Sequence, residues 1–325
     1  MRWGASVALR RIDASMLAFY SDRYVLPLPA GHRFPMAKYG KLRQRVATEL
    51  PGVELREPVA ATDGELALAH TPDYIERVTL GRLTSLEVRT IGFPWSPAMV
   101  ERSRRSTGAT IGACRAALQG GVAVNLAGGT HHAHADQGQG YCVFNDAAVA
   151  ARLMQAEASR AGRHLRVAII DLDVHQGNGT ATILQHDPSI YTLSLHGATN
   201  FPFRKATSRL DVHLPDGTGD TDYLAALDAA LDRLAREFSA QLLIYLAGAD
   251  AHEGDRLGKL RLSTAGMAAR DARVLDFAAR HGVPLAVAMA GGYGRDIDVT
   301  VDVHLNTVRA ALAHHLRSAS AALPA

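Results

Sequence analysis

Residues 167–179 read VAIIDLDVHQGNG, an apolar run that closes on Asp171, Asp173 and His175 and then breaks into glycines. The run lacks polar alternation, which is how a parallel strand reads when helices cover both faces of its sheet. Four other stretches share that character: VAVNL (122–126), IYTLSL (190–195), LLIYLAGAD (242–250) and PLAVAMAGG (284–292). Helical segments lie between and around them. TDYLAALDAALDRLAREF (221–238) places Leu224, Leu227, Leu231, Leu234 and Phe238 on one stripe with charges opposite. NDAAVAARLMQAEASR (145–160) opens on an Asn suited to N-capping, and 264–281 and 298–317 also read as helices. This alternation predicts an α/β fold, a doubly wound, mainly parallel sheet with helices on both faces. No repeat, low-complexity tract or linker divides it, so we expect a single domain over 17–318 after a short extension, 1–16. Met16 is an alternative start, because organised sequence begins near Phe19.

The composition suits such a fold. Of 325 residues, 47% are hydrophobic and 21% charged, enough for a sizeable core. The net charge of +3 is spread through the chain without a basic block, so it gives no reason to expect a nucleic-acid partner. Arginine supplies nearly all of the 35 basic residues. The two cysteines, Cys114 and Cys142, form no CxxC pattern, which argues against a disulfide framework and for a reducing, cytoplasmic setting. No stretch reads as a signal peptide or approaches the roughly 18 apolar residues of a membrane span, so no membrane is expected.

The strand ends carry the chemistry. Four of them lead into GGTHHAHADQGQGYCVFND (128–146), DLDVHQGNG (171–179), GADAHEGD (248–255) and GGYG (291–294). In open parallel sheets ligands bind beyond the carboxyl ends of the strands, so these loops should meet in one pocket. Asp173 and His175 are two apart and, on a strand, point to the same side. With Asp250 they make a set of two carboxylates and one imidazole, an open site for a divalent metal, with zinc the first candidate. His131 and His132 facing that metal suggest a general base or acid and a charge-stabilising partner. Asp171 is placed to orient a histidine through Nδ1. Tyr293 would set a phenol where a carbonyl oxygen gains negative charge.

Together these motifs resemble the zinc-dependent histone deacetylase family, the arginase/deacetylase fold, from about Tyr20 to His315. The stretches HRFPMAKYGKLR (32–43), DLDVHQGNGT (171–180) and GADAHEGDRLGKLRLSTAG (248–266) look closest to its class IV, small-deacetylase branch. The resemblance implies one catalytic zinc on Asp173, His175 and Asp250. It implies His132 as the base that takes a proton from water and returns it to the leaving amine. It implies His131, paired with Asp171, as a charge stabiliser, and Tyr293 as a donor to the acyl oxygen. A structural monovalent cation, usually potassium, is implied near Asp171, Asp173, His175, Ser194 and Leu195, largely through backbone oxygens. Gly140 and Tyr141 match the lining of the family's acyl-lysine tunnel, with Phe201 or Phe203 as the other wall. Cys142 beside them reads as a packing residue.

The implied activity is removal of acetyl or longer acyl groups from the side-chain amine of acyl-lysine, in a peptide or protein. Acetylpolyamine or other small-amide deacetylation is the alternative. A non-catalytic acyl-lysine binding module would not need both histidines and Tyr293. A binuclear manganese ureohydrolase of the same fold would need charged ligands where Gln176 and Asn178 stand. Two departures from the family matter. The stretch TIGFPWSPAMV (90–100) has no acid where many members carry a rim aspartate that grips the substrate backbone. Asn178 stands where many have an aspartate behind the second histidine; the class IV branch resembles this sequence in having Asn. Leu257 falls where acetylpolyamine-specific relatives carry a glutamate. His196 and His252 are expected to shape the pocket mouth, and His186, His304, His314 and His315 to be solvated.

Overall fold

Eight parallel strands form one sheet in the order β2-β1-β3-β8-β7-β4-β5-β6 in the computed structural model, which describes residues 15–29 and 31–321. The strands are β1 (Met16–Phe19), β2 (Val53–Arg56), β3 (Val122–Asn125), β4 (Val167–Asp171), β5 (Ile190–Gly197), β6 (Leu210–Leu214), β7 (Leu242–Leu246) and β8 (Leu285–Ala288). Ten helices accompany them among the described residues: α1 (Ala37–Glu49), α2 (Asp63–Leu66), α3 (Pro72–Thr79), α4 (Ser85–Ile91), α5 (Pro97–Gly120), α6 (Asp146–Arg160), α7 (Asn178–Leu184), α8 (Asp220–Glu237), α9 (Thr264–His281) and α10 (Ile297–Ala321).

Side-chain alternation along each strand divides the core in two. Val167 and Ile169 of β4 join a cluster with α3, α4, α5 and α6, while Ala168 and Ile170 join one with α1, α8, α9 and α10. Both faces of the central strands are therefore dry. The expected stripe on α8 is present: Leu227, Leu231, Leu234 and the capping Phe238 are buried and Leu224 partly so. Each fully buried side chain of this kind contributes about 1.5–3 kcal/mol. Asn145 caps α6, its side chain accepting from the Ala148 amide.

The strands end earlier than the apolar runs suggest. β4 stops at Asp171, β7 at Leu246 and β8 at Ala288, so the polar residues that follow lie in loops. Those loops leave the carboxyl ends of β3, β8, β7 and β4, four adjacent strands near the middle of the sheet. At the other end of the chain, the proposed extension lies almost wholly outside the described residues. Met16 itself opens β1 and is fully buried.

Candidate active site

Asp173 and His175 sit in the loop after β4, not on the strand, and Asp250 in the loop after β7. One ligand atom from each lies within 4.8 Å of the others, and all three residues are buried. His175 Nδ1 is 2.9 Å from Asp173 Oδ1 and 3.2 Å from Asp250 Oδ2. Amides aim the carboxylates: Gly291 N donates to Asp173 Oδ2 at 2.7 Å, and Val174 N to Asp250 Oδ1 at 3.0 Å. A Cβ on Gly291 would lie 1.9 Å from Asp250 Oδ2, so only glycine lets that backbone approach.

Electrostatics show what this set lacks. Neither carboxylate forms an ion pair with a lysine or arginine among the described residues; both face His175, and Asp173 Oδ1 also lies 3.8 Å from His131 Nε2. Burial opposes a proton on His175, yet Asp173 and Asp250 raise its pKa to about 10. Two buried carboxylates with no fixed cation are costly unless a cation joins them. The donors, two carboxylate oxygens and one ring nitrogen, are those of an open zinc-class site.

The tandem histidines differ in what holds them. His131 Nδ1 is 2.6 Å from Asp171 Oδ2. Burial disfavours its charge, but Asp171 and Asp173 outweigh burial and lift the pKa to about 9. His132 Nδ1 is 2.8 Å from Asn178 Oδ1. Asn178 Nδ2 donates to Gln139 Oε1 at 2.8 Å and to His134 Nε2 at 3.0 Å, which orients the amide. Its oxygen must then face His132, so the His132 proton sits on Nδ1 and Nε2 keeps its lone pair. Burial, reinforced by His131 and His175, drives the His132 pKa well below its ordinary value. Burial, with Asp173 and Asp250 nearby, pushes the Tyr293 phenol upward, so it stays a proton donor.

A cavity of about 390 Å³ reaches this centre. His132, His175 and Tyr293 line it with Gly140, Tyr141, Phe201 and Leu257, and residues 89–92 line it too. Tyr141 has φ +67°, a conformation that costs a non-glycine residue about 1–3 kcal/mol. Backbone bonds hold it there: Tyr141 N donates to Ile91 O at 2.6 Å and Gly140 N to Thr90 O at 3.0 Å. Gly92 makes room, since a Cβ there would lie 2.9 Å from the Tyr141 ring. Phe201 stands edge-on to His132, with ring centroids 4.9 Å apart.

Several expectations need correction. Phe203 is 89% exposed and does not line the cavity, so Phe201 alone supplies that wall. His196 is fully buried on β5, bonded to Ser194 Oγ and to His213, and His252 turns to Thr264 and the Gly254 amide. Neither shapes the mouth. His304, His314 and His315 are buried rather than solvated, because α10 packs against α1 and α9; only His186 is exposed. Cys142 is buried and its thiol pushed up by burial, as a packing residue's would be.

Other residues at the site drew no role from sequence. Asp255, inside the quoted GADAHEGD, accepts the Tyr293 amide at 2.6 Å and the Leu257 and Gly258 amides. Asp146 accepts from the Gly129 and Thr130 amides and so fixes the loop that presents both histidines. Arg270, fully buried on α9, donates to the carbonyls of Leu172 and Gly248, each next to a ligand loop. Spacing contains no signal for these partners, which meet only through the fold. Ser194 pairs in register with Asp171, and Leu195 follows it on β5.

Comparison with known proteins bears on the family and the fold. The Histone deacetylase domain family matches residues 32–308. An uncharacterized protein of Picosynechococcus sp. is 40% identical over 294 residues, covering 90% of this chain and 97% of its own. Histone deacetylase 2 of Arabidopsis thaliana is 34% identical over 276 residues, 81% of this chain and 70% of its own. The crystal structure of an HDAC homolog from Aquifex aeolicus superimposes with a TM-score of 0.77 at 24% identity, over 92% of this chain and 84% of that one, a likeness of fold. The chain belongs to the histone deacetylase family, a family of hydrolases, and its eight-stranded parallel sheet with flanking helices is that family's fold.

Proposed function

We propose that the protein is a zinc-dependent lysine deacylase of the class IV-like branch, acting through a single catalytic domain. The observation that carries this is the cavity itself, which is walled by Tyr141, Phe201 and Leu257 and ends at His132, His175 and Tyr293. An apolar tunnel of this kind fits the methylene stem of lysine and leaves the amide at the polar end. Asp173, His175 and Asp250 would hold the zinc, which when bound polarises the amide carbonyl and lowers the pKa of water toward about 7. His132 accepts the water proton at Nε2, since Nδ1 is committed to Asn178, and returns it to the leaving amine. His131, held protonated by Asp171, adds positive charge beside the reacting centre. Tyr293 donates to the acyl oxygen as negative charge develops there. A potassium-class ion is proposed beside Asp171, Asp173, His175, Ser194 and Leu195, through backbone oxygens. The buried, unbridged Cys114 and Cys142 suit a cytoplasmic setting. Among the described residues no helix is long and apolar enough to cross a membrane.

Leu257 sets the substrate preference. It lines the cavity and offers no partner for a substrate ammonium, whose desolvation would go uncompensated. Acyl-lysine peptides should therefore be preferred to acetylspermidine. The test is kcat/KM for a panel from acetyl- to myristoyl-lysine beside acetylspermidine, using protein of measured metal content. Higher kcat/KM for acetylspermidine than for every acyl-lysine would refute the assignment.

A further inference from the structure

The mouth of the cavity carries a charge that the proposed chemistry does not use. Arg89 is the one arginine, lysine, aspartate or glutamate among the lining residues. It stands in the last turn of α4, just before the left-handed cap at Gly92. The next two carbonyls, Thr90 O and Ile91 O, accept from Gly140 and Tyr141, so this helix end is tied to the tunnel wall. Arg89 thus projects from a fixed part of the rim, not from a free loop.

Nothing on its own helix neutralises it. Arg89 is exposed and makes no hydrogen bond or ion pair among the described residues. Glu87, the one acid of α4, is committed to the Thr84 capping box and to Arg77. Arg256, next in the chain to the lining residue Leu257, is exposed and donates to two carbonyls, Tyr293 O and Arg33 O, with no ion pair among the described residues. Asp255 is turned inward onto backbone amides. The rim is therefore basic and its lining contains no acid.

We propose that this rim selects acyl-lysine flanked by acidic residues and that Arg89 is the specificity-determining side chain. The inference rests on the acyl-lysine reading above. A carboxylate beside the acyl-lysine reaches the rim while the acyl group sits at the metal ligands, and guanidinium binds carboxylate through paired donors. Because the contact forms at an exposed rim, it acts on association and KM more than on kcat, and it weakens with salt.

The test uses three acetyl-lysine peptides that differ only in having Glu, Gln or Lys on both sides of the acetyl-lysine. For the metal-loaded protein at low salt, the expected order of kcat/KM is Glu, then Gln, then Lys. The step should be about threefold for each substitution, the size of an exposed ion pair, carried by KM and shrinking toward unity in concentrated salt. Arg89→Lys should keep the order and Arg89→Glu, which leaves Arg256 in place, should abolish the preference. Equal wild-type kcat/KM for the three peptides, or a wild-type order kept by Arg89→Glu, would overturn the role of Arg89 while leaving acyl-lysine hydrolysis standing. Failure to turn over any of the three, with the acyl group varied from acetyl to myristoyl, would overturn the acyl-lysine reading, and this inference with it.

Discussion

Asn178 shows how much a single amide decides. Its nitrogen is spent on Gln139 and His134, so its oxygen accepts the hydrogen bond from His132 Nδ1 without adding charge. Replacement by aspartate would add that charge, favour the protonated imidazole and raise the His132 pKa. Since the base must be unprotonated to act, the acidic limb of kcat/KM in Asn178→Asp should move to higher pH. A zinc-loaded variant whose limb stays in place, or moves lower, would rule out the coupling. Tyr293→Phe should keep fold and metal but lower kcat by roughly 10²–10³-fold, the range for loss of one oxyanion donor. Near wild-type turnover would remove that role. The chemistry-bearing residues were legible because few structural needs put two aspartates, a histidine and a histidine pair at strand ends. Which way a neutral side chain turns was not legible. Phe201 and Phe203 are two apart, yet one lines the cavity and the other faces solvent.

Among elements, the five apolar runs proved to be β3, β8, β7, β4 and β5, the contiguous centre of the sheet. Their residues are buried on both faces and so read plainly. The missed strands β2 and β6 form the two edges, and β1 lies beside β2. An edge strand needs burial on fewer sides, so VELR and LDVHL mix polar with apolar residues and give little signal. The helix α1 was also missed, which is why His304, His314 and His315 on α10 looked exposed: α1 covers part of α10. A testable junction joins the α2–α3 connection to α6, where His70 Nε2 accepts the Asn145 amide at 2.9 Å. Burial lowers the His70 pKa to about 4. An unfolded chain binds that proton below about pH 6.5, the folded chain only below about 4, so stability is full above 6.5 and falls between. In His70→Gln the loss of unfolding free energy from pH 7 to 5 should be smaller than in wild type by about 2 kcal/mol. Denaturant titrations at the two pH values measure it, and an unchanged difference would exclude His70 as the source.

For the whole molecule, the metal ligands bridge separate parts of the chain. Asp173 and His175 follow β4, Asp250 follows β7, and Gly291 after β8 presses against both carboxylates. An ion held there binds the folded state and not the unfolded one, so its removal should lower Tm, by an amount set by metal concentration over Kd. Asp173→Ala and Asp250→Ala should each lose the metal. Retention of a full complement by either variant would break the ligand assignment. The most direct measurement joins composition to activity: metal per chain in purified protein, with acyl-lysine hydrolysis before chelation, after it, and after zinc is restored. The account predicts about one zinc-class ion per chain, activity abolished with its removal and recovered on its return. Two tightly held transition metals per chain, or hydrolysis that continues unchanged in metal-free protein, would contradict it.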